Sequence, residues 1–184
     1  MSIKRKSIDH LIGIEGGYVN DSRDSGGETN YGITIGTARA FGYDGPMKNM
    51  SRNEAYNIYS LLYWDPLRLD QIERLSELVA YELFDTGVNM GLHRSATFLQ
   101  TSLNALNKSQ SLYDDLVVDG RIGAKSISAL KAYLDKRGKS GELVLVRMLN
   151  CLQGAFYIEL AERRPKDKAF VYGWFLNRIT IEGE

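Results

Sequence analysis

The sequence is poor in the residues that cross-link small proteins or bind metals. A single cysteine among 184 residues excludes an internal disulfide framework, and with only two histidines there is no candidate zinc cluster. No uninterrupted apolar run approaches the roughly 20 residues that span a bilayer. The opening stretch, MSIKRKSIDHLIGIEGG, lacks the apolar core of a signal peptide, because Asp9, His10 and Glu15 interrupt it. We therefore expect a protein made in the cytoplasm that uses neither a metal nor another cofactor.

Charge is balanced overall but unevenly distributed along the chain. The 23 basic side chains match the 23 acidic ones, yet residues 121–178 hold 12 basic against 5 acidic side chains, a surplus of seven. A basic C-terminal region attracts polyanions such as nucleic acid, anionic lipid or bacterial cell wall, unless these charges only solvate helix faces. We expect no nucleic-acid partner, because the surplus is modest and no nucleic-acid-binding motif is present.

Apolar residues recur at helical spacing over most of the chain, which predicts a mainly α protein. Ser51 and Glu54 form the pattern of a capping box, and Ser95 is a candidate N-cap. The dense glycines and polar residues between positions 18 and 35 predict an irregular loop with one small β-hairpin. A short helix is predicted over residues 127–134. The longest predicted helix ends at Arg164-Pro165, and its apolar face consists of Leu145, Leu149, Leu152, Phe156 and Leu160.

The segment from Glu15 to Gly36, EGGYVNDSRDSGGETNYGITIG, carries the strongest chemical signal. Glu15 ends an apolar helix and a glycine-rich loop follows, so its side chain can project into a cleft while the backbone stays fixed. A carboxyl held against an apolar wall has a raised pKa and can donate a proton near neutral pH, as glycosidic cleavage requires. Asp24 lies in polar surroundings that favour its ionised form. The alternative is that Glu15 caps or pairs at the surface and the glycines only build a turn.

These residues resemble the opening signature of glycoside hydrolase family 108, the phage and bacterial N-acetylmuramidases. The signature comprises Glu15-Gly16-Gly17-Tyr18, Asn20-Asp21 and Gly26-Gly27-Glu28-Thr29-Asn30-Tyr31-Gly32-Ile33-Thr34, with Ser22 in place of the family's usual proline. Further blocks that resemble the family are Tyr63-Trp64-Asp65-Pro66, Phe84-Asp85-Thr86-Gly87-Val88-Asn89, and Gly173-Trp174 with Asn177-Arg178. The resemblance implies a mainly α, lysozyme-like helical fold with one small hairpin next to the catalytic glutamate.

The resemblance also implies roles for residues around this hairpin. Glu15 corresponds to the family's catalytic acid. Phage-type lysozymes place an aspartate nine residues after the glutamate and a threonine six residues further on, positions that Asp24 and Asn30 occupy here, with Thr29 adjacent. The residue that positions the attacking water is therefore open among Asp24, Thr29 and Asn30.

Four further residues are candidates for sugar binding. Tyr18 and Tyr31 flank the predicted site, and an aromatic face can stack on a pyranose ring. Asp85 and Asn89 share a helix face, because they are four residues apart. This pair predicts either a cleft floor that binds acetamido and hydroxyl groups of the sugar or a buried hydrogen-bond network that locks the hairpin to the core.

The second half of the chain carries a weaker signal. Val118-Asp119-Gly120-Arg121-Ile122-Gly123, followed by Ser126 and Ala129-Leu130, resembles a turn of peptidoglycan-binding domains. We expect a lysozyme-like catalytic region over residues 1–94 and a peptidoglycan-binding-like helical region over residues 95–184, packed together as one compact unit. The segment RRPKDKAFVYGWFLNRI contacts anionic lipid or lipopolysaccharide, or else packs against the catalytic half. Cys151 is predicted to be a buried thiol.

The resemblance implies a peptidoglycan hydrolase that cleaves the β-1,4 bond between N-acetylmuramic acid and N-acetylglucosamine. The missing signal peptide fits a phage endolysin that waits in the host cytoplasm, as a monomer, until another factor opens the membrane. There are two alternatives. A lytic transglycosylase would use one glutamate and no water, and a non-catalytic wall-binding module would not depend on Glu15.

Overall fold

The N-terminal part of the chain combines short helices with a two-stranded sheet. The computed structural model describes residues 1–14, 16–20 and 27–179, and the chain divides into two compact units, Met1–Pro66 and Leu67–Glu184. The described elements of the first unit are α1 (Ile3–Ile14), β1 (Thr29–Asn30), β2 (Ile33–Thr34), α2 (Ile35–Ala40), a 3₁₀ turn (Met47–Asn49), α3 (Arg52–Tyr59) and a π-helical turn (Ser60–Trp64). The predicted boundary between residues 94 and 95 stays a prediction.

The C-terminal unit is helical in all the regular elements described for it. These are α4 (Leu69–Glu73), α5 (Glu77–Met90), α6 (Leu92–Leu106), α7 (Ala124–Arg163), a 3₁₀ turn (Pro165–Asp167) and α8 (Lys168–Arg178). Helix α5 packs against α6 and α7, and α8 packs against α7. Their shared core contains leucines that are at most 1% exposed, namely Leu83, Leu99, Leu103, Leu130, Leu145 and Leu149. Each buried leucine contributes roughly 1.5–3 kcal/mol. The prediction of a mainly α, lysozyme-like fold with one small hairpin is confirmed.

Two helix starts follow local capping rules. Ser51 Oγ accepts a hydrogen bond from the Glu54 backbone N–H at 3.2 Å, and the Glu54 carboxylate accepts one from the Ser51 backbone N–H at 2.6 Å. These hydrogen bonds hold the pKa of Glu54 below its ordinary value. The predicted capping box is confirmed. Ser76 caps α5 with its side chain only, because its Oγ accepts from the backbone N–H of Val79 at 3.0 Å.

The predicted N-cap at Ser95 is wrong. Helix α6 begins three residues earlier, at Leu92, directly after Gly91 with its φ of 89°. Ser95 is fully buried inside this helix, and its Oγ donates a hydrogen bond to the Leu83 carbonyl at 2.7 Å. A buried hydroxyl must find a partner, and here the partner belongs to the neighbouring helix rather than to the start of its own.

Helix α7 is two predicted helices joined at a kink. Gly138 lies inside it with φ of 58° and ψ of −151°, a conformation that residues with a Cβ rarely adopt. The sequence predicts a short helix over residues 127–134 and a separate long one. In the structure both belong to one element, α7, which bends at Gly138. The predicted end is confirmed, because Arg164 is the C-cap and Pro165 follows it.

The part of α7 after Gly138 is apolar on its outer side as well as its inner side. It contains an 18-residue window of mean hydropathy 1.3, of which 33% is buried, so by length and composition this helix could cross a membrane. A core helix of a soluble protein can have the same length and composition. Cys151 belongs to this part and is exposed, so the prediction of a buried thiol is wrong. The inner face is already filled by Leu145 and Leu149, which are 0% and 1% exposed.

Candidate active site

The first helix orients the segment that carries the predicted acid. Ile8 and Ile12 are one turn apart on α1 and are 0% and 2% exposed, so this face of the helix is fixed in the core of its unit. Helix α1 ends at Ile14, and Glu15 is the next residue along the chain. Glu15 and Asp24 themselves lie outside the described residues, so their roles stay predictions.

A backbone bridge holds the chain together on both sides of the segment that contains Asp24. Val19 and Thr29 exchange two hydrogen bonds, from Val19 N to Thr29 O at 2.8 Å and from Thr29 N to Val19 O at 2.9 Å. Tyr18, directly before the bridge, is 38% exposed. The bridge therefore brings an exposed tyrosine close to β1, as a sugar-binding site beside the hairpin requires.

The hairpin turn is built by Tyr31 and Gly32. Their φ angles are 52° and 74°, so both residues have positive φ, as in the two-residue type I′ turn that matches strand twist. The Tyr59 hydroxyl donates a hydrogen bond to the Tyr31 carbonyl at 2.7 Å and holds this turn in place. Tyr31 is half-buried and keeps part of its surface accessible.

Thr29 and Asn30 differ in how the fold uses them. They are consecutive strand residues, so their side chains point to opposite faces of the hairpin. Asn30 is 4% exposed, and its Nδ2 donates a hydrogen bond to the Met47 carbonyl at 2.7 Å. Thr29 is only half-buried. Asn30 therefore anchors the hairpin to the 3₁₀ turn, and the Thr29 hydroxyl lies on the other face.

In the C-terminal unit, Asp85 is the centre of a hydrogen-bond network. Its Oδ1 accepts from Arg178 Nη1 at 2.9 Å and from Asn89 Nδ2 at 3.1 Å, and its Oδ2 accepts from Gln153 Nε2 at 2.9 Å. The network joins α5, α7 and α8. Asp85 is therefore part of a hydrogen-bond network among these three helices. Asn89 is exposed, and sugar binding by either residue stays a prediction.

A second carboxyl, that of Glu82, is buried one turn before Asp85. Glu82 is 4% exposed, and burial raises its pKa to about 8, with the negative charge of Asp85 adding to the effect. Among the described residues, Glu82 Oε1 has no hydrogen-bond partner, and the neighbouring Gln153 and Tyr157 are buried, at 0% and 3% exposed. Burial therefore favours the protonated form of Glu82, next to the ion pair of Asp85 and Arg178.

Sequence reasoning missed Glu82, Gln153 and Tyr157. Glu82 had a signal, because it lies three residues after Val79 and four before Thr86, which are both buried, and so it shares their helix face. Gln153 and Tyr157 had none. Polar residues four apart on a long helix are as common on solvated faces as on buried ones.

The predicted turn at Asp119-Gly120 is present and is fixed to α6. Gln100, which is 2% exposed, donates from Nε2 to Asp119 Oδ1 at 2.8 Å, and its Oε1 accepts from the Gly120 backbone N–H at 2.9 Å. The hydrogen bond from Gln100 holds the pKa of Asp119 below its ordinary value. Gly120 has φ of 69°, and a Cβ there would collide with the His93 ring. This turn therefore requires glycine.

Comparison with known proteins finds a match for each half of the chain. Residues 8–91 match the family model described as glycosyl hydrolase 108, and residues 94–179 match the one described as a predicted peptidoglycan domain. A solved structure of Brucella abortus SagA is similar, with a TM-score of 0.57 and 24% sequence identity over 98% of each chain. At that identity the likeness shows the fold alone. No curated protein matches the sequence.

Proposed function

Because this chain belongs to the glycosyl hydrolase 108 family and is a glycoside hydrolase that acts on peptidoglycan, we propose that it is an N-acetylmuramidase. It cleaves the β-1,4 bond between N-acetylmuramic acid and N-acetylglucosamine and leaves a reducing muramic acid end. The observation that carries the proposal is the family match over residues 8–91, which includes the Glu-Gly-Gly-Tyr segment at Glu15 and the hairpin that follows it.

In this proposal, Glu15 protonates the glycosidic oxygen as the bond breaks. Asp24 assists the attacking water or stabilises positive charge on the sugar ring, and the Thr29 hydroxyl positions that water. Tyr18 stacks on a sugar. The support is positional, because Glu15 directly follows the last residue of α1 and lies four residues before Val19, where the bridge to Thr29 begins. Helix α1 and the bridge between Val19 and Thr29 therefore both lie within four residues of Glu15 along the sequence.

Substituting Thr29 and Asn30 one at a time separates the proposed water-positioning role of Thr29 from the anchoring role of Asn30. Asn30→Ala leaves the buried Met47 carbonyl without its donor, so we expect the free energy of unfolding to fall by about 1–3 kcal/mol. Thr29→Val keeps the branched shape and removes the hydroxyl, so we expect stability to change by less than about 0.5 kcal/mol while the hydrolysis rate falls. Urea unfolding and peptidoglycan digestion of both variants measure this. A Thr29→Val enzyme of full activity would contradict the assignment of Thr29.

The chemistry of the products tests the proposed reaction. Purified peptidoglycan is digested with the chain, reduced with borohydride and separated, and the masses of the released muropeptides are measured. We expect reducible muramic acid ends, because a muramidase transfers the glycan to water. Anhydro-muramic ends would identify a lytic transglycosylase and leave Asp24 without its role. Reducing glucosamine ends would move the cleavage to the other glycosidic bond, and no products at all would favour a wall-binding module.

The biological setting that we propose is host cell lysis. The enzyme accumulates in the host cytoplasm as a phage endolysin, and its predicted peptidoglycan domain binds glycan strands after release. We propose that the basic C-terminal region also contacts anionic lipid or lipopolysaccharide. The support is that Phe170, Tyr172 and Leu176 of α8 are 58%, 79% and 67% exposed, shortly after Arg164 and Lys166.

A further inference from the structure

Helix α8 is apolar on two opposite faces. Its inner face carries Trp174 and Phe175, which are half-buried and whose rings pack on α7. Its outer face carries Ala169, Tyr172 and Leu176, which follow one another at intervals of three and four residues and so line one side of the helix. All three are exposed, Tyr172 and Leu176 to 79% and 67%. A helix that only packs on its own protein carries polar side chains on the side that faces water.

Contacts to α5 and α7 hold the inner face of α8 in place. The Trp174 ring stacks on the Tyr157 ring of α7, with the ring centres 4.8 Å apart, and the Phe175 ring lies tilted against the same tyrosine at 6.4 Å. At the end of the helix, Arg178 Nη1 donates a hydrogen bond to Asp85 Oδ1 of α5 at 2.9 Å. An aromatic stack and an ion pair thus fix which side of α8 points away from the protein.

The charges around α8 indicate what its outer face binds. Arg164 and Lys166 lie just before the helix, Lys168 is its first residue, and all three are exposed. Asp167 is the single acidic side chain between positions 163 and 178. Exposed cations next to an uncharged apolar face match a bilayer surface with anionic headgroups, because the cations meet the headgroups while the apolar side chains reach the acyl chains. A nucleic acid would meet the cations but leave the apolar side chains in water.

We propose that α8 stays docked on α7 and lays its outer face on a bilayer that contains anionic phospholipid. The helix then lies parallel to the bilayer surface over roughly 16 Å, with Tyr172 and Leu176 at the boundary between headgroups and acyl chains. The proposal rests on the lipid contact of the proposed function, and it narrows that contact to one face of one helix and to phospholipid rather than lipopolysaccharide. It does not depend on which glycosidic bond the enzyme cleaves.

Co-sedimentation of the full chain with vesicles of known composition tests the proposal. One set of vesicles is phosphatidylcholine alone, and the other contains phosphatidylglycerol and phosphatidylcholine in equal amounts. We expect the partition coefficient to be at least about 10-fold higher for the anionic vesicles and to fall when salt is added. Lys166→Gln and Lys168→Gln are each expected to weaken binding by roughly 5-fold, the effect of one cation at an anionic surface. Equal binding to both sets of vesicles, or binding to lipopolysaccharide alone, overturns the proposal.

Leu176→Gln tests the outer face without changing any charge. We expect roughly 10-fold weaker binding to the anionic vesicles, because one apolar side chain no longer enters the bilayer. Val117→Gln is the matched control, since Val117 is 78% exposed but lies outside α8, and it should bind as the wild type does. Circular dichroism checks that both variants are folded. Both should digest purified peptidoglycan at the wild-type rate, which separates this test from that of the proposed reaction. Equal binding by the two variants would show that the outer face is not the contact.

Tryptophan quenching tests which face of α8 enters the lipid. Tyr172→Trp combined with Trp174→Phe moves the tryptophan from the inner face to the outer face, while Trp64, which is 0% exposed, is present in both proteins. The vesicles contain phosphatidylglycerol brominated on its acyl chains, a quencher that acts over a short distance. We expect stronger quenching of the double variant than of the wild type. Equal quenching, or stronger quenching of the wild type, would show that the inner face enters the bilayer, and it would overturn the docked arrangement.

Discussion

Glu15→Gln is expected to lower the rate of peptidoglycan hydrolysis by roughly 100- to 10,000-fold, which is the range that general acid catalysis contributes. Glutamine keeps the size and shape of glutamate but has no proton to donate to the glycosidic oxygen. Because the substitution keeps the side-chain volume and leaves the buried Ile8 and Ile12 of α1 unchanged, the thermal midpoint should stay close to that of the wild type. Release of reducing ends from purified peptidoglycan, measured at equal enzyme concentration, gives the rate ratio.

Glu28→Gln is the matched control for this variant. Glu28 is another glutamate of the same glycine-rich segment, and the contribution it makes to the described hydrogen bonds is its backbone carbonyl, which accepts from Ile35 N at 2.8 Å. The substitution leaves that carbonyl in place, so we expect activity within about threefold of the wild type. If Glu15→Gln stays active, or if the two variants lose activity equally, Glu15 is not the acid.

The free energy of unfolding is expected to fall by a few kcal/mol as the pH rises from about 5 to about 8, and Glu82→Gln is expected to remove this fall. Burial raises the pKa of Glu82 to about 8 in the folded chain, against an ordinary value of 4.5. Between these values folding takes up a proton, so stability is highest below the lower pKa and decreases until the pH passes the higher one. Each pH unit in that window costs about 1.4 kcal/mol. Above it, an ionised Glu82 faces the charge of Asp85.

Urea unfolding across this pH range measures the effect, and backbone hydrogen exchange in α5 reports it for the C-terminal unit. Glu162→Gln, the same change at an exposed position of α7, should keep the wild-type slope. Glu82→Gln should also be the more stable protein at pH 8, since it has no carboxyl to keep neutral. A wild-type stability that does not vary over this range, or a Glu82→Gln variant with an unchanged slope, would show that Glu82 does not ionise here.

The elements that could be predicted from the sequence are those set by neighbouring residues. The capping box at Ser51 and the end of α7 at Arg164-Pro165 each depend on contacts within a few positions. The hairpin turn at Tyr31-Gly32 has a similar origin, because glycine tolerates the positive φ that a two-residue loop demands. Local chemistry decides such features before any tertiary contact forms.

The features that could not be predicted depend on distant partners. Asp85 is paired with Arg178, which lies 93 residues further along the chain, and a single sequence does not indicate such a pairing. Ser95 could cap a helix or bond across to another one, and only the position of Leu83 decides between these. Cys151 has the polarity of a core residue, but the side of α7 on which it lies faces outward.

The paired hydrogen bonds between Val19 and Thr29 have a consequence for protein engineering. They pair the two residues that border positions 20–28, so a replacement of these nine residues leaves both partners of the bridge in the chain. Doubling the number of residues in a closed loop costs only about 0.6 kcal/mol of additional entropy. Residues 20–28 can therefore be exchanged for other segments, provided that Asp24 is kept for its proposed role. Libraries of segments that retain Asp24, inserted between the invariant anchor residues Val19 and Thr29, would vary substrate preference.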